Sequence, residues 1–274
     1  MSLFNELQDL MIKYHFRPEK KLSQFFCINE ALLIFLVNSA KLKKSDVVLE
    51  IGPGTGFLTK KLLEKCRVVA VEKDETMIEL LKKEFEKEIK EKKLVLINGN
   101  ILEQNFEELN INKIVSLPPY HISSDLLEKI VLSKIELVIL VLDSGFVEKI
   151  TAFEGMKEYG FLTIIINLNS KISVLEKISK ESFFPIPNCL SEVVKIVFDN
   201  KENSKEFLIF AKELFRHKNK DLSRALKQAK PFLEKKMLLK KIDFNNIILG
   251  NKKVYLLTPE EMLKIFKIFV KNNN

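Results

Sequence analysis

The stretch from Val47 to Glu72 constrains the fold of this chain more than any other. It opens with an aliphatic run, Val47–Ile51, and passes through Gly52-Pro53-Gly54-Thr55-Gly56. It continues with a helical pattern over Thr59–Lys65 and closes on a second apolar run, Val68–Glu72. Strand, glycine-rich turn, helix and strand in that order make a parallel unit, since parallel neighbours need a crossover that is usually helical. Glycines let the turn bend sharply and approach a ligand closely, and such ligands bind beyond the carboxyl ends of the strands. The spacing excludes one large class. A dinucleotide-binding loop reads G-x-G-x-x-G, and its third glycine would fall on Phe57. Here the spacing is G-x-G-x-G, with Glu50 just before it and Glu72 ending the next strand. An ionised carboxylate at that strand end can accept hydrogen bonds from both hydroxyls of a ribose.

The same alternation continues. Leu94–Asn98, Lys113–Leu117, Leu137–Leu142, Ile172–Leu175 and Val193–Phe198 read as strands, and Thr76–Lys90 as a helix. Strands alternating with helices predict an α/β fold with a mostly parallel sheet covered on both faces. Pro185-Ile186-Pro187-Asn188 reads as a turn that would pair the last two strands antiparallel. Asp143, ending a strand, reads as a helix N-cap with Ser144. After Phe198 the pattern changes: Asp199–Asn203 is polar, and Ser204–Arg216, Lys220–Lys230 and Pro259–Val270 are helical. Thr258 caps the last of these, with Pro259 at its first position. This predicts two domains, 1–199 and 200–274.

Charge separates the two parts. Residues 201–274 carry 18 Lys and Arg against 8 Asp and Glu, while the whole chain is only +8. A one-sided basic module suits a phosphate-rich partner; a lysine-rich solvated helical surface is the other reading. Cys27, Cys66 and Cys189 are too far apart for a metal motif and read as small buried residues in a reducing compartment. His15, His121 and His217 are equally scattered, so no metal site is expected. No long uncharged apolar stretch suggests a membrane helix, and the N-terminus does not read as a signal peptide.

Six blocks carry a resemblance. Lys21-Leu22-Ser23-Gln24-Phe25-Phe26 is similar to an N-terminal G-Q-N/H-F motif. Glu50–Gly56 is similar to motif I of class I methyltransferases, and Val71-Glu72-Lys73-Asp74 to motif II. Tyr120-His121-Ile122-Ser123-Ser124 matches the end of an N-L-P-Y-x-I-S block. Phe184–Val194 is similar to F-x-P-x-P-x-V-x-S-x-V, and Leu214–Leu226 to an F-x-x-R-x-K-x-x-R-x-x-L region. In this order, over almost the whole chain, they resemble the KsgA-type small-subunit ribosomal RNA adenine dimethyltransferases, in an archaeal-looking form. The resemblance implies a Rossmann-like class I methyltransferase domain with a small C-terminal helical domain that binds RNA. It implies S-adenosyl-L-methionine as cofactor, held by Phe25, Cys27, Glu50, Gly52, Gly54, Gly56, Glu72 and Asn100. It implies transfer of two methyl groups to the exocyclic amine of each of two adjacent adenosines in the terminal hairpin loop of small-subunit rRNA. Tyr120 would be the ring on which the splayed adenine stacks, and Arg216, Lys218, Lys220 and Arg224 would hold RNA. A cytoplasmic monomer acting on assembling small subunits, without metal, completes the implied picture. The loop from Glu154 to Gly160 resembles one that touches RNA.

The sequence also departs from the family. The catalytic block reads Ser116-Leu117-Pro118-Pro119-Tyr120. Aligned without a gap, Leu117 stands where the family has its catalytic Asn, and leucine accepts no hydrogen bond. If one proline is an insertion, Ser116 takes that place. The backbone carbonyls of Leu117 or Pro118 could also orient the amine. Losing one oriented polar group costs about 10²–10³ in rate. Asn100 replaces an Asp that binds the cofactor's adenine, Ser23 replaces a Gly, and Phe25 stands at the Asn/His position. Two further readings therefore remain open: a catalytically weak or inactive relative that binds rRNA as an assembly factor, and a methyltransferase with another substrate.

Overall fold

The structure, a computed structural model, describes residues 2–19, 24–199, 204–237 and 252–271. The chain divides into two compact units, Met1–Val147 with Ile172–Phe198, and Glu148–Lys171 with Asp199–Asn274. A boundary near residue 200 therefore describes only part of the division. Residues 148–171 belong to the second unit, where part of the stretch is buried. Tyr159, for example, is 1% exposed and donates its hydroxyl to the Leu257 carbonyl at 2.7 Å.

The strands are β1 (Phe26–Cys27), β2 (Val47–Ile51), β3 (Arg67–Glu72), β4 (Leu94–Asn98), β5 (Lys113–Ser116), β6 (Leu137–Asp143), β7 (Ser170–Ile178), β8 (Phe183–Phe184) and β9 (Ser191–Phe198). Seven of them form one sheet in the order β4-β3-β2-β5-β6-β9-β7, while β1 pairs antiparallel with β8. β2 to β6 are parallel to their neighbours, and β9 runs antiparallel to β6. Alternate residues divide the buried set. Val48, Val68, Ala70, Val115, Ile139 and Val141 join one core cluster, while Leu49, Val69, Ile114, Val138 and Leu140 are buried outside it. Both faces are covered, which is why the strands read as continuous apolar runs.

The helices of the first unit are α1 (Leu3–Lys13), α2 (Glu30–Ser39), α3 (Phe57–Leu63), α4 (Glu75–Glu84), α5 (Glu86–Lys90) and α6 (Ser123–Val131), with α7 (Ser144–Thr151) crossing the division. The expected helix Thr76–Lys90 is two helices. Phe85 leaves helical conformation (φ −119°, ψ 29°) and turns a buried ring toward Gly56. Asp143 caps α7 as expected, accepting from the Phe146 amide at 2.9 Å.

The second unit contains α8 (Phe161–Asn169), α9 (Lys205–Phe215), α10 (Leu222–Met237) and α11 (Pro259–Lys271). Phe207, Phe210, Phe266 and Phe269 meet at its centre, with ring centroids 5.0–5.5 Å apart. Thr258 caps α11 reciprocally: its hydroxyl accepts from the Glu261 amide, and the Glu261 carboxylate accepts from the Thr258 amide. The expected linker residues 200–203, and Lys21 to Ser23 of the N-terminal motif, lie outside the described residues. Among the described residues no helix is long and apolar enough to cross a membrane.

Candidate active site

The sheet order reverses between β2 and β5. The chain runs outward from β2 through β3 to β4, then returns to the other side of β2. A reversal of this kind opens a crevice at the carboxyl ends of the strands. The loops after β2 and β5 meet there, and a Cβ added at Gly52 would lie 3.5 Å from the Pro119 ring. A cavity of about 460 Å³ occupies the crevice.

Of the residues expected to hold a cofactor, Phe25, Cys27, Glu50, Gly52, Gly54, Glu72 and Asn100 line this cavity. Gly56 is not among the lining residues. It holds φ +82° at the start of α3, and an added Cβ would fall 2.4 Å from the Phe85 ring and 2.9 Å from Leu81. Gly56 is therefore needed for the close packing of α3 on α4, while Gly54, at φ +56° in the cavity wall, presents backbone to the crevice.

Glu72 is anchored from three sides. Its Oε1 accepts from the amides of Lys73 (2.8 Å) and Asp74 (2.9 Å), and its Oε2 from the amide of Gly54 at 3.2 Å. A carboxylate has about four acceptor positions, so one remains, on Oε2. The expectation that Glu72 accepts from two ribose hydroxyls is thus revised to one open position. Glu50 is buried, and its carboxylate takes a 2.6 Å hydrogen bond from the Thr59 hydroxyl. Burial, with the charge of Glu72 nearby, pushes the Glu50 carboxyl up to about 8, while burial also raises that of Glu72. Asp74 joins them in the lining and caps α4. Among the described residues, three carboxylates face the cavity with Lys73 as the only lysine or arginine in its wall. Those that are ionised repel a phosphate-bearing ligand and favour one carrying positive charge, with Glu50 joining them only as pH rises toward 8.

Asn100 lines the cavity, but its side-chain oxygen already accepts from the Leu102 amide at 3.1 Å. Sequence reading left out Gln24, which lies within the N-terminal motif. Its amide donates to Asp74 at 2.6 Å and it lines the cavity. Asp74 and Leu102 were also missed as lining residues. Asp74 ends the quoted motif II block, and Leu102 lies two residues beyond Asn100.

The catalytic block divides differently. Leu117 lines the cavity, together with Pro119, His121 and Ile122; Ser116, Pro118 and Tyr120 are not among its lining residues. Ser116 is 0% exposed and tied between strands, donating to the Ile51 carbonyl at 2.7 Å and accepting from the Ile51 amide at 3.1 Å. It is fully buried, bonded to the Ile51 backbone and not among the cavity's lining residues, which counts against its standing in as the missing acceptor. Tyr120 stacks on Phe25 with ring centroids 6.0 Å apart and planes at 23°. Its hydroxyl shares a 2.7 Å hydrogen bond with Ser191, which the β6–β9 register sets opposite Asp143. Burial raises the Tyr120 phenol to about 12, which keeps it neutral. Sequence reading also missed Ser191, although it lies within a quoted motif.

Arg216, Lys218, Lys220 and Arg224 all lie in the second unit, between the end of α9 and the start of α10. The Arg216 and Arg224 side chains are 67% and 78% exposed and lie 3.2 Å and 4.0 Å from Glu213 and Asp221. Lys218 donates to the Lys157 carbonyl, and Lys220 to Gln228. In the expected RNA loop, Tyr159 is fully buried and structural, whereas Glu154 to Lys157 are exposed. Cys27 and Cys66 are buried as expected, but Cys189 is only partly so.

Comparison with known proteins agrees with this geometry. The sequence model of the family described as "Ribosomal RNA adenine dimethylase" matches residues 15–271. A "Probable ribosomal RNA small subunit methyltransferase A" from Pyrococcus furiosus is 34% identical over 258 residues, covering 92% of each chain. Its counterpart from Methanopyrus kandleri is 33% identical over 223 residues, 79% of each. Among solved structures, a dimethyladenosine transferase from Plasmodium falciparum superposes with TM-score 0.76 at 27% identity, over 90% of this chain and 98% of that one. The 23S rRNA methyltransferase ErmE shares the fold, with TM-score 0.59 at 20% identity over 89% and 99%. A class I methyltransferase sheet with its crevice at the β2–β5 reversal, matched along almost its whole length, places this chain in the ribosomal RNA adenine dimethylase family of methyltransferases.

Proposed function

We propose that this methyltransferase uses S-adenosylmethionine to dimethylate two adjacent adenosines in the 3′-terminal hairpin loop of small-subunit rRNA. The observation that carries the reading is the crevice itself. Buried carboxylates line it around a glycine loop, and the Leu117–Ile122 segment closes its other side. A sulfonium cofactor brings positive charge and an electrophilic methyl group, and the acidic cavity suits that charge. Glu72 would hold a ribose hydroxyl through Oε2, the Gly52–Gly54 backbone allows close approach, and Asn100 borders the end suited to the base. Phe25 and Tyr120 offer an aromatic stack for an adenine turned out of a loop, with Ser191 fixing the Tyr120 ring. The second unit supplies positive charge for the RNA backbone. The reading includes a cytoplasmic monomer working on assembling small subunits.

The acceptor that orients the target amine is then a backbone carbonyl of Leu117 or Pro118, since Ser116 is fully buried and does not line the cavity. This favours slow chemistry and gives the second reading its support: an rRNA-binding assembly factor with little or no activity. Incubation with labelled cofactor and undermethylated small subunits separates the two. Label on the two adenosines supports the enzyme; particle binding without label supports the assembly factor. The variant Leu117→Asn should raise the rate by about 10²–10³ if the missing acceptor limits it. An unchanged rate would assign that work to the backbone.

A further inference from the structure

The second unit has a cavity of its own, about 670 Å³, walled by residues of α7, the 157–161 segment, α9, its C-terminal turn and α10. Apart from Arg216 and Lys218, expected above to hold RNA, the function proposed above makes no use of its walls. Its apolar lining includes Phe161, Phe215 and Phe232. Phe232, on α10, is 38% exposed, a large apolar ring left open to solvent in a basic unit. Among the described residues, five cations border the same cavity, Lys149, Lys157, Lys212, Arg216 and Lys218, against the carboxylates of Glu158 and Glu213. Glu213 is buried and paired with Arg216 at 3.2 Å. The Lys212 ammonium lies 5.3 Å over the Phe161 ring.

Apolar rings alone would suit a hydrophobic peptide, and cations alone would suit any polyanion. Their combination in one groove suits a partner that presents flat apolar faces and negative charges at regular spacing. Single-stranded nucleic acid has both, whereas a duplex hides its base faces. The volume lies within the range of about 300–1,000 Å³ common for ligand sites. We propose that this groove binds an unpaired nucleotide of the RNA substrate. Its base stacks on Phe232 and Phe161, and the flanking phosphates lie against Lys149, Lys157 and Lys212. The inference rests on the RNA reading above and adds an anchoring site within the second unit, separate from the cofactor crevice of the first.

The test uses the full chain and two fluorescent probes: an unstructured RNA of about twelve nucleotides, a length in the range of single-strand sites, and a duplex of the same length. Phe232→Ala should weaken single-strand binding by about tenfold, the usual scale for losing one stacked base, and leave duplex binding unchanged. Phe232→Tyr should retain the single-strand affinity, since the ring is kept. Lys149→Glu with Lys157→Glu should weaken both probes and reduce the salt dependence. The proposal is overturned if Phe232→Ala binds the single strand like the wild type. It is also overturned if both probes weaken equally, or if an oligoglutamate peptide competes as well as RNA in a Phe232-dependent way, which would point to a protein partner. Methyl transfer to small subunits, measured in parallel, keeps the two proposals distinct. Phe232-dependent RNA binding without transfer sinks the enzyme reading alone. Normal transfer with Phe232-independent RNA binding sinks the groove alone.

Discussion

Glu50, next to last in β2, is 2% exposed, with the Thr59 hydroxyl as its hydrogen-bond donor and Glu72 sharing its cavity. Burial, with the Glu72 charge adding to it, raises its carboxyl to about 8 from an ordinary 4.5. Between those values the folded chain binds more protons than the unfolded one, so this contribution to stability is fully present below pH 4.5 and is lost as pH rises through 8. Glu50→Gln should therefore flatten the pH dependence of the melting temperature across that window and raise the melting temperature at its alkaline end; an unaltered profile would deny Glu50 this role. A cationic cofactor prefers the ionised form, so its affinity should rise with pH over the same window in the wild type and lose that dependence in Glu50→Gln. Glu72 behaves differently because its oxygens already serve three amides. Glu72→Ala should weaken cofactor binding by about 1–3 kcal/mol, read by calorimetry. Glu72→Gln should not restore it. With its oxygen on the Lys73 and Asp74 amides, its NH₂ group would face the Gly54 amide, donor against donor. Full affinity in that variant would show that the three-amide anchor is dispensable.

At the scale of elements, the glycine loop and the α4–α5 break are one feature. Gly56 starts α3 at φ +82°, and the ring of Phe85, where α4 ends, occupies the space its Cβ would take. Gly56→Ala combines a left-handed alanine with an overpacked neighbour and should destabilise the fold by about 2–4 kcal/mol. Adding Phe85→Leu should recover the packing part and leave the backbone part, which denaturant unfolding of the two variants would resolve. Full recovery would mean the backbone conformation costs nothing there. This pairing also marks the limit of what the sequence made legible. The five strands from Val47 to Asp143 could be read almost to the residue, because each carries an aliphatic run, four of them inside the sheet and largely buried and the edge strand β4 only partly so. The G-x-G-x-G spacing announced the crevice. It could not show that the third glycine is needed for the packing of a helix, because the ring it accommodates lies in a separate stretch of chain. Nor could it show that Ser116 points between strands while Leu117 faces the cavity. The block's letters name candidates, but which of them faces the crevice is settled by pairing with β2.

For the molecule as a whole, charge is segregated as composition suggested. The last 74 residues hold 18 basic against 8 acidic side chains, and the remainder is close to neutral. The second unit also takes in Lys149, Lys157 and Lys171 together with Glu148, Glu154 and Glu158 from the 148–171 stretch, which a boundary at residue 200 had assigned elsewhere and which adds no net charge. The exposed Arg224–Asp221 pair contributes little to stability, about 0–1 kcal/mol, whereas Arg216 lies 3.2 Å from the buried Glu213 and its loss would strip that carboxylate of its arginine. Lys218 and Arg224 can therefore be neutralised without that cost, which makes their role in binding measurable. Replacing Lys218 and Arg224 together by Gln should leave the melting temperature within a few degrees of the wild type. It should weaken small-subunit RNA binding at low salt and reduce the slope of log affinity against log salt by about one for each phosphate no longer neutralised. Cofactor affinity should not change, because the crevice residues all belong to the first unit. A salt slope that stays at the wild-type value would return these charges to the solvated face that composition alone allowed. The RNA would then have to be held by other groove cations, Lys149, Lys157 and Lys212.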